Sequence, residues 1–162
     1  MLQRMTIPGG QRAAAWAALC AVALLWSAAP AGGSPRLRQI EAQAQRGEHA
    51  AAIEAVQSQL DELRHDELAG GLSLLGRSQL ALARQRRDRA LLTQAGLNLM
   101  RVAVWFPNSD QAPEALHQAG EINAQLGNRR AARAAWERVI SQYEASPSAQ
   151  RARRALEQLD GR

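Results

Sequence analysis

The stretch from Ser109 to Tyr143, SDQAPEALHQAGEINAQLGNRRAARAAWERVISQY, decides the fold. It reads as two amphipathic helices joined by a tight turn. Ser109 or Asp110 is placed to cap the first helix, because a short side-chain oxygen accepts from the free amides of an opening turn. Pro113 suits that first turn, where its missing N–H has no helical partner. Leu116, Ala119, Gly120, Asn123 and Leu126 then recur at helical spacing as a narrow face of mostly small residues. Gly127-Asn128 supplies a helix stop followed by a cap. The second helix carries Ala132, Ala135, Trp136, Val139, Ile140 and Tyr143 on one stripe. Small residues on one helix facing large ones on the other allow close antiparallel packing.

Such a hairpin leaves an apolar face uncovered and needs neighbours. They are visible at a spacing of 37 residues, which relates Phe106 to Tyr143, Ser109 to Ser146, Ala112 to Ala149 and Ala115 to Ala152. The same offset takes Ala95, Leu99, Val102 and Ala103 to Ala132, Trp136, Val139 and Ile140. Upstream, Leu72, Gly76, Leu82 and Ala83 precede Leu116, Gly120, Leu126 and Gly127 by 44, so seven residues are inserted between Ala83 and Ala95. Earlier still, Ala52, Val56 and Leu60 stand at the same distances from Gly47 as Ala132, Trp136 and Ile140 from Gly127. Ser34 caps a first helix from Pro35 to Arg46, Asp66 caps a third, Asp88 one from Arg89 to Trp105, and Ser146 a last one from Ser148 to Leu159. Seven helices are expected, as three hairpins and a terminal cap.

Gly120, Gly127, Ala132, Trp136 and Val139 resemble the small, turn, small, aromatic and small-apolar positions of the tetratricopeptide repeat (TPR) family. Pro107 before Asn108-Ser109 looks like the proline that closes one such repeat. The endings WFPNS and QYEASPS are similar to those of bacterial envelope TPR proteins of the Tol-Pal-associated coordinator type. The resemblance spans about 35–159. It implies an all-α fold, a right-handed superhelical stack of antiparallel hairpins, with repeats at about 34–65, 66–108 and 109–145 and a capping helix at 147–159. It also implies that the first helix of each hairpin lines an inner, concave side. That side would present Leu37, Glu41 and Gln45, then Ser73, Arg77 and Leu80, then Glu114, His117, Glu121 and Gln125, and finally Arg151 and Arg154. Leu37 and Glu41 stand where chaperone-binding members place the Lys and Asn of a carboxylate clamp, so clamp function is not expected. The partner implied is a protein or peptide of the cell envelope.

The N-terminal segment 1–31 reads as a signal peptide. Arg4 and Arg12 form a basic start, Ala13 to Trp26 an apolar core, and Ala29-Pro30-Ala31 the small residues that signal peptidase requires. The apolar run is shorter than the ~20 residues needed to span a bilayer. Cleavage would leave 32–162 as a periplasmic or secreted domain, with membrane contact only if the segment stays uncleaved as an anchor. Cys20, the single cysteine of the sequence, would leave with it, so disulfides play no part in the expected fold. Every basic residue is arginine, and loss of Arg4 and Arg12 lowers the net charge from +5 to +3. A balance that small does not by itself call for nucleic acid. The exception is local: Arg84, Arg86, Arg87 and Arg89 crowd the insert. They are read either as a solvated loop or extended helix ends or, helped by Arg129, Arg130 and Arg133, as a patch for an envelope polyanion or nucleic acid.

No catalytic constellation stands out, and neither cofactor nor metal is expected. His49, His65 and His117 lie far apart in the chain, without the i, i+4 spacing of a paired metal site. Ser73, Ser78 and Ser141 lie in helices, none in a Gly-x-Ser-x-Gly elbow. Gly70-Gly71 lacks the lysine and spacing of a phosphate loop. Glu114 and Glu121 are two turns apart, roughly 10 Å along the axis, which suits solvation better than acid–base work. Trp105, Phe106, Trp136 and Tyr143, at helical spacing and at matching places in successive repeats, are expected in the core. The sequence implies no particular oligomeric state.

Overall fold

The computed structural model describes residues 34–161, and the signal segment expected at 1–31, with Cys20 and the junction before Gly32, lies outside the described residues. The described residues form α1 (Pro35–Gln45), α2 (His49–Gln59), a short 3-10 turn (Leu60–Glu62), α3 (His65–Arg86), α4 (Arg89–Trp105), α5 (Ala112–Gln125), α6 (Arg129–Gln142) and α7 (Pro147–Asp160), with no strand among them. Each helix packs on the next, while α1 also meets α3 and α5 also meets α7. The result is the expected stack of three helix hairpins closed by a single helix. The first helices of the hairpins, α1, α3 and α5, share one face with α7.

The three hairpin turns are built alike. After α1 and α5 a glycine takes a left-handed conformation, Gly47 at φ 85° and Gly127 at φ 86°. The amide of the residue after that glycine then donates back to the last turn, Glu48 to Gln43 O at 3.1 Å and Asn128 to Asn123 O at 2.8 Å. After α3 the same bond runs from Asp88 to Ala83 O at 3.0 Å, but the left-handed residue is Arg87, at φ 55°. Arg87 stands 40 residues before Gly127, whereas Leu82 stands 44 before Leu126 and Leu99 stands 37 before Trp136. The insert is therefore four residues at the end of α3 and three at the start of α4. Each addition is about one helical turn, which carries the tip roughly 6 Å further out.

Caps follow the sequence in part. Ser34, Asp88 and Ser146 accept from the amides of Leu37, Leu91 and Ala149 at 3.3, 2.9 and 3.2 Å. Neither Ser109 nor Asp110 caps α5, which begins after Gln111; the Ser109 hydroxyl instead donates to Phe106 O at 2.8 Å. A turn closed by Ala112 N–H on Ser109 O, 3.0 Å, sits between that serine and the helix. Asp66 does not cap α3: it lies in the first turn, two residues past the cap position, which Arg64 occupies. There Glu67 accepts from the Arg64 amide at 3.2 Å.

The core runs between the hairpins. A Cβ on Gly120 would overlap the indole of Trp136, lying 2.7 Å from its Cδ1, and one on Gly76 would lie 2.7 Å from Leu99 Cγ. Both glycines exist to admit the large residue opposite. Trp136 is buried and donates its Nε1–H to His117 O at 3.1 Å, so the indole's polar atom is satisfied inside the core. Trp105 departs from expectation: it is 60% exposed, with the Arg101 guanidinium 5.7 Å above its ring. Phe106 and Tyr143 are only half-buried, and the Tyr143 hydroxyl donates to Pro107 O at 2.8 Å.

Candidate functional site: the inner face of the stack

Repeat position, more than residue type, decides which inner-face side chains reach solvent. Leu37, Ser73, His117 and Arg154 occupy one position on α1, α3, α5 and α7, by the offsets of 36, 44 and 37 residues. The first three are buried, Ser73 and His117 each at 4% exposure. Their side chains present almost no surface on that face, and Leu80 is buried with them. The reason is the stack itself. α3 is packed by α1, α2 and α4, and α5 by α4, α6 and α7, so only a narrow strip of each first helix stays open. Arg154, on α7, is exposed.

His117 shows the cost of that burial. Its Nδ1 is buried without a hydrogen-bond partner. Desolvation pushes its pKa below the ordinary histidine value, against the smaller opposing pull of Glu121 and Glu114, and Arg151 adds to the depression.

One turn further along each helix lies the open strip: Glu41, Arg77, Glu121 and Gln158, again a single repeat position. Its charges are answered by neighbouring first helices. Arg77 Nη2 donates to Glu41 Oε1 at 3.1 Å, and Arg84 reaches Glu121 across 3.8 Å. Arg151 pairs with Glu114, which also accepts from Ser148 Oγ at 2.9 Å. Three ion pairs thus bridge α1 to α3, α3 to α5 and α5 to α7. All are half-exposed, a class worth about 0–1 kcal/mol each, so they order the surface more than they hold it. The strip is left close to electrically neutral. Gln125 and Arg154 complete its exposed polar groups.

Two hollows open onto this strip. One lies between α1, the start of α2 and α3, with a volume of about 190 Å³. The other lies between α5, α6 and α7, about 360 Å³. Their first walls match residue for residue at a spacing of 80: Glu41, Ala44, Gln45 and His49 against Glu121, Ala124, Gln125 and Arg129. The signal for them was present in the repeated pattern Glu-x-x-Ala-Gln-x-Gly at 41–47 and 121–127.

The arginine cluster does not form one patch. Arg84 is held by Glu121, and Arg89 donates to Leu126 O at 2.8 Å, closing the C-terminus of α5. Arg129 does the same to Leu159 O on α7, while Arg133 pairs with Asp160. Arg86 and Arg87 remain exposed at the tip.

On the other side, α4 exposes Leu97, Val104 and Trp105. At the 37-residue offset these match Ala134, Ser141 and Gln142, all exposed on α6. That register was readable from sequence and places Trp105 outside. A buried polar tie joins α3 to α4: Asn98 Nδ2 donates to Gln79 Oε1 at 2.8 Å, and Arg101 to Asn98 Oδ1 at 2.9 Å. Its only trace in the sequence is two amides on otherwise apolar helix faces.

Among the described residues, no group of three His, Cys, Asp or Glu is placed to hold a metal ion, and no helix is long and apolar enough to cross a membrane.

Taken together, the hairpins, their turns and their shared face build a TPR-like helical-repeat fold. In keeping with this, the fold is similar to that of PcrH, solved in complex with the chaperone binding region of PopB, at 24% sequence identity and a TM-score of 0.59 over 74% of this chain and 93% of that one. No protein-family model matches the chain, and no curated protein matches it. The likeness reaches the helical-repeat class and does not extend to the Tol-Pal-associated type.

Proposed function

We propose that this chain is an exported, non-catalytic scaffold that holds an extended segment of another protein along the inner face of its first helices. The observation that carries the reading is the open strip Glu41, Arg77, Glu121 and Gln158, one repeat position running across the three first helices and α7 between two matched hollows. A ligand laid across the stack meets the same position once per hairpin, which is how helical repeats bind extended partners. PcrH, with the same fold, was solved with a segment of another protein, which supports the reading by analogy of fold. Placement in the cell envelope rests on the basic start, apolar core and Ala29-Pro30-Ala31.

The test compares two folded variants. Arg77, Glu121 and Arg154 are replaced together by Ala, and Arg86 and Arg87 together by Gln. The purified proteins are then used to capture partners from envelope extract. The strip variant is expected to lose capture and the tip variant to keep it, with capture by the parent insensitive to salt. Loss confined to the tip variant, with affinity falling steeply as salt rises, would instead make the protein a polyanion binder. The exported protein should begin at Gly32. N-terminal sequencing that finds Met1 would replace export and cleavage by a retained anchor.

A further inference from the structure

The two hollows share a first wall but differ on the second. Leu74, Arg77 and Ser78 of α3 in the first hollow become Ala155, Gln158 and Leu159 of α7 in the second. Ser78 is thus the residue by which the first hollow is particular. It is 2% exposed, lines the cavity and has no hydrogen-bond partner for its hydroxyl. His49, on the facing wall, has a buried Nδ1 that is likewise unpartnered. Burying a polar group without a partner is unfavourable, and two lining one cavity mark a place where a partner is missing. Ala44 and Leu74 supply its apolar walls, while Gln45 and the Glu41–Arg77 pair, a neutral combination, stand at its rim.

Size then selects among occupants. An apolar cavity of about 150 Å³ holds one benzene ring, and this one measures about 190 Å³. The room is that of a benzene ring with one further heavy atom. A phenolic O–H, which donates and accepts, satisfies a serine hydroxyl and an imidazole nitrogen in either tautomer of the ring. A cationic side chain gains little here, because Arg77 already neutralises Glu41. We infer that the hollow between α1, α2 and α3 is a tyrosine socket, taking the ring of a tyrosine on the bound segment and seating its hydroxyl between Ser78 and His49. The inference rests on the scaffold reading for the source of that tyrosine. The hollow beside Trp136 and Leu159 offers no orphaned serine and carries no such preference.

The socket is tested directly with N-acetyl-tyrosinamide and N-acetyl-phenylalaninamide as probes, following the His49 imidazole by NMR on the whole protein. The tyrosine probe is expected to bind about tenfold more tightly than the phenylalanine probe, the usual worth of one satisfied hydrogen bond. Ser78→Ala should abolish that preference. It removes an unpartnered buried hydroxyl, so it should leave melting unchanged or slightly raised, and a folded variant is assured by the same melt. His49→Ala, at a half-buried position, should reduce the preference independently. Equal affinity for both probes, or no response at His49 to either, overturns the socket. If the parent still captures a partner in that case, the scaffold reading stands without it. If the tyrosine preference appears while no protein segment is ever captured, the socket stands and the scaffold reading falls.

Discussion

In the third hairpin Gly120 on α5 faces Trp136 on α6; eighty residues earlier the same two positions hold Ile40 and Val56, buried in one apolar cluster. The middle hairpin has Gly76 opposite Leu99. One position therefore trades volume with another across the hairpin, and each hairpin settles the trade differently. The third puts nearly all the volume on its second helix and closes the gap with no Cβ at all. The first spreads it over two β-branched residues. A hairpin built on one large ring is more vulnerable to a single change than one built on two medium side chains. It is also more specific, because the Trp136 indole must fit a glycine and reach the carbonyl of His117 at once.

The largest expected effect breaks the third hairpin outright. Trp136→Ala removes a buried aromatic and should cost about 3–5 kcal/mol. That is a large share of the 5–15 kcal/mol typical of a whole domain. Urea unfolding followed by circular dichroism measures it. Val56→Ala, at the same position of the first hairpin, should cost less, since fewer atoms are lost. Equal losses would mean that the two hairpins share volume in the same way after all.

A smaller effect sharpens the comparison. Gly120→Ala should cost about 1–3 kcal/mol by overpacking, because the new methyl meets the indole, whose position is fixed by its hydrogen bond. In the Trp136→Val background, which copies the second helix of the first hairpin, the same methyl has room. The two changes should then couple by about 1–3 kcal/mol in a double-mutant cycle. Simple additivity would show that Gly120 is there for some reason other than the ring.

The same register explains what could be read from the sequence and what could not. The hairpins, their number, the turn glycines and the volume trade were legible, because each depends on residues within one or two repeats. Seven helices and the Asp88 cap were recovered for that reason. The burial of Ser73 and His117 was not legible, since it depends on how many neighbours each first helix has, and that is a property of the stack. Polar residues at those positions look like groove residues until the third neighbour is in place. Trp105 failed differently. Its register against exposed Gln142 was in the sequence, but its ring argued louder for the core.

His117 brings pH into the comparison, for the first hairpin has Leu37 at that position. A histidine whose folded pKa is held down by burial releases its proton more readily folded than unfolded. The unfolded chain then binds more protons, so stability falls as pH falls. The contribution is complete above the unfolded value near 6.5 and is lost progressively as pH drops through the folded one. Urea midpoints should therefore decline between about pH 7 and pH 5, before the carboxylates titrate. His117→Leu, which copies the first hairpin, should remove the part of that decline due to this site. A decline that persists undiminished in His117→Leu would assign it to other groups.

The smallest expected effect concerns the tips. Gly47 and Gly127 take positive φ at their turns, and Arg87 takes the same conformation in the extended middle hairpin. A residue with a Cβ meets its own backbone there, at a cost of roughly 1–2 kcal/mol. Glycine avoids the clash but loses more freedom on folding, about 0.5–1 kcal/mol. Arg87→Gly should therefore stabilise the protein by about 0.5 kcal/mol, the difference between those two terms, read as a small rise in urea midpoint at constant slope. The converse, Gly127→Arg, should destabilise it by a similar amount, because the space around Gly127 is open and only the backbone conformation is at stake. If both changes behave so, the three turns are interchangeable, and the arginine at the longest tip is retained at a loss that packing does not explain. A fall in stability on Arg87→Gly would show instead that the side chain makes a compensating contact at the tip, and the three turns would no longer be one motif with a substituted residue.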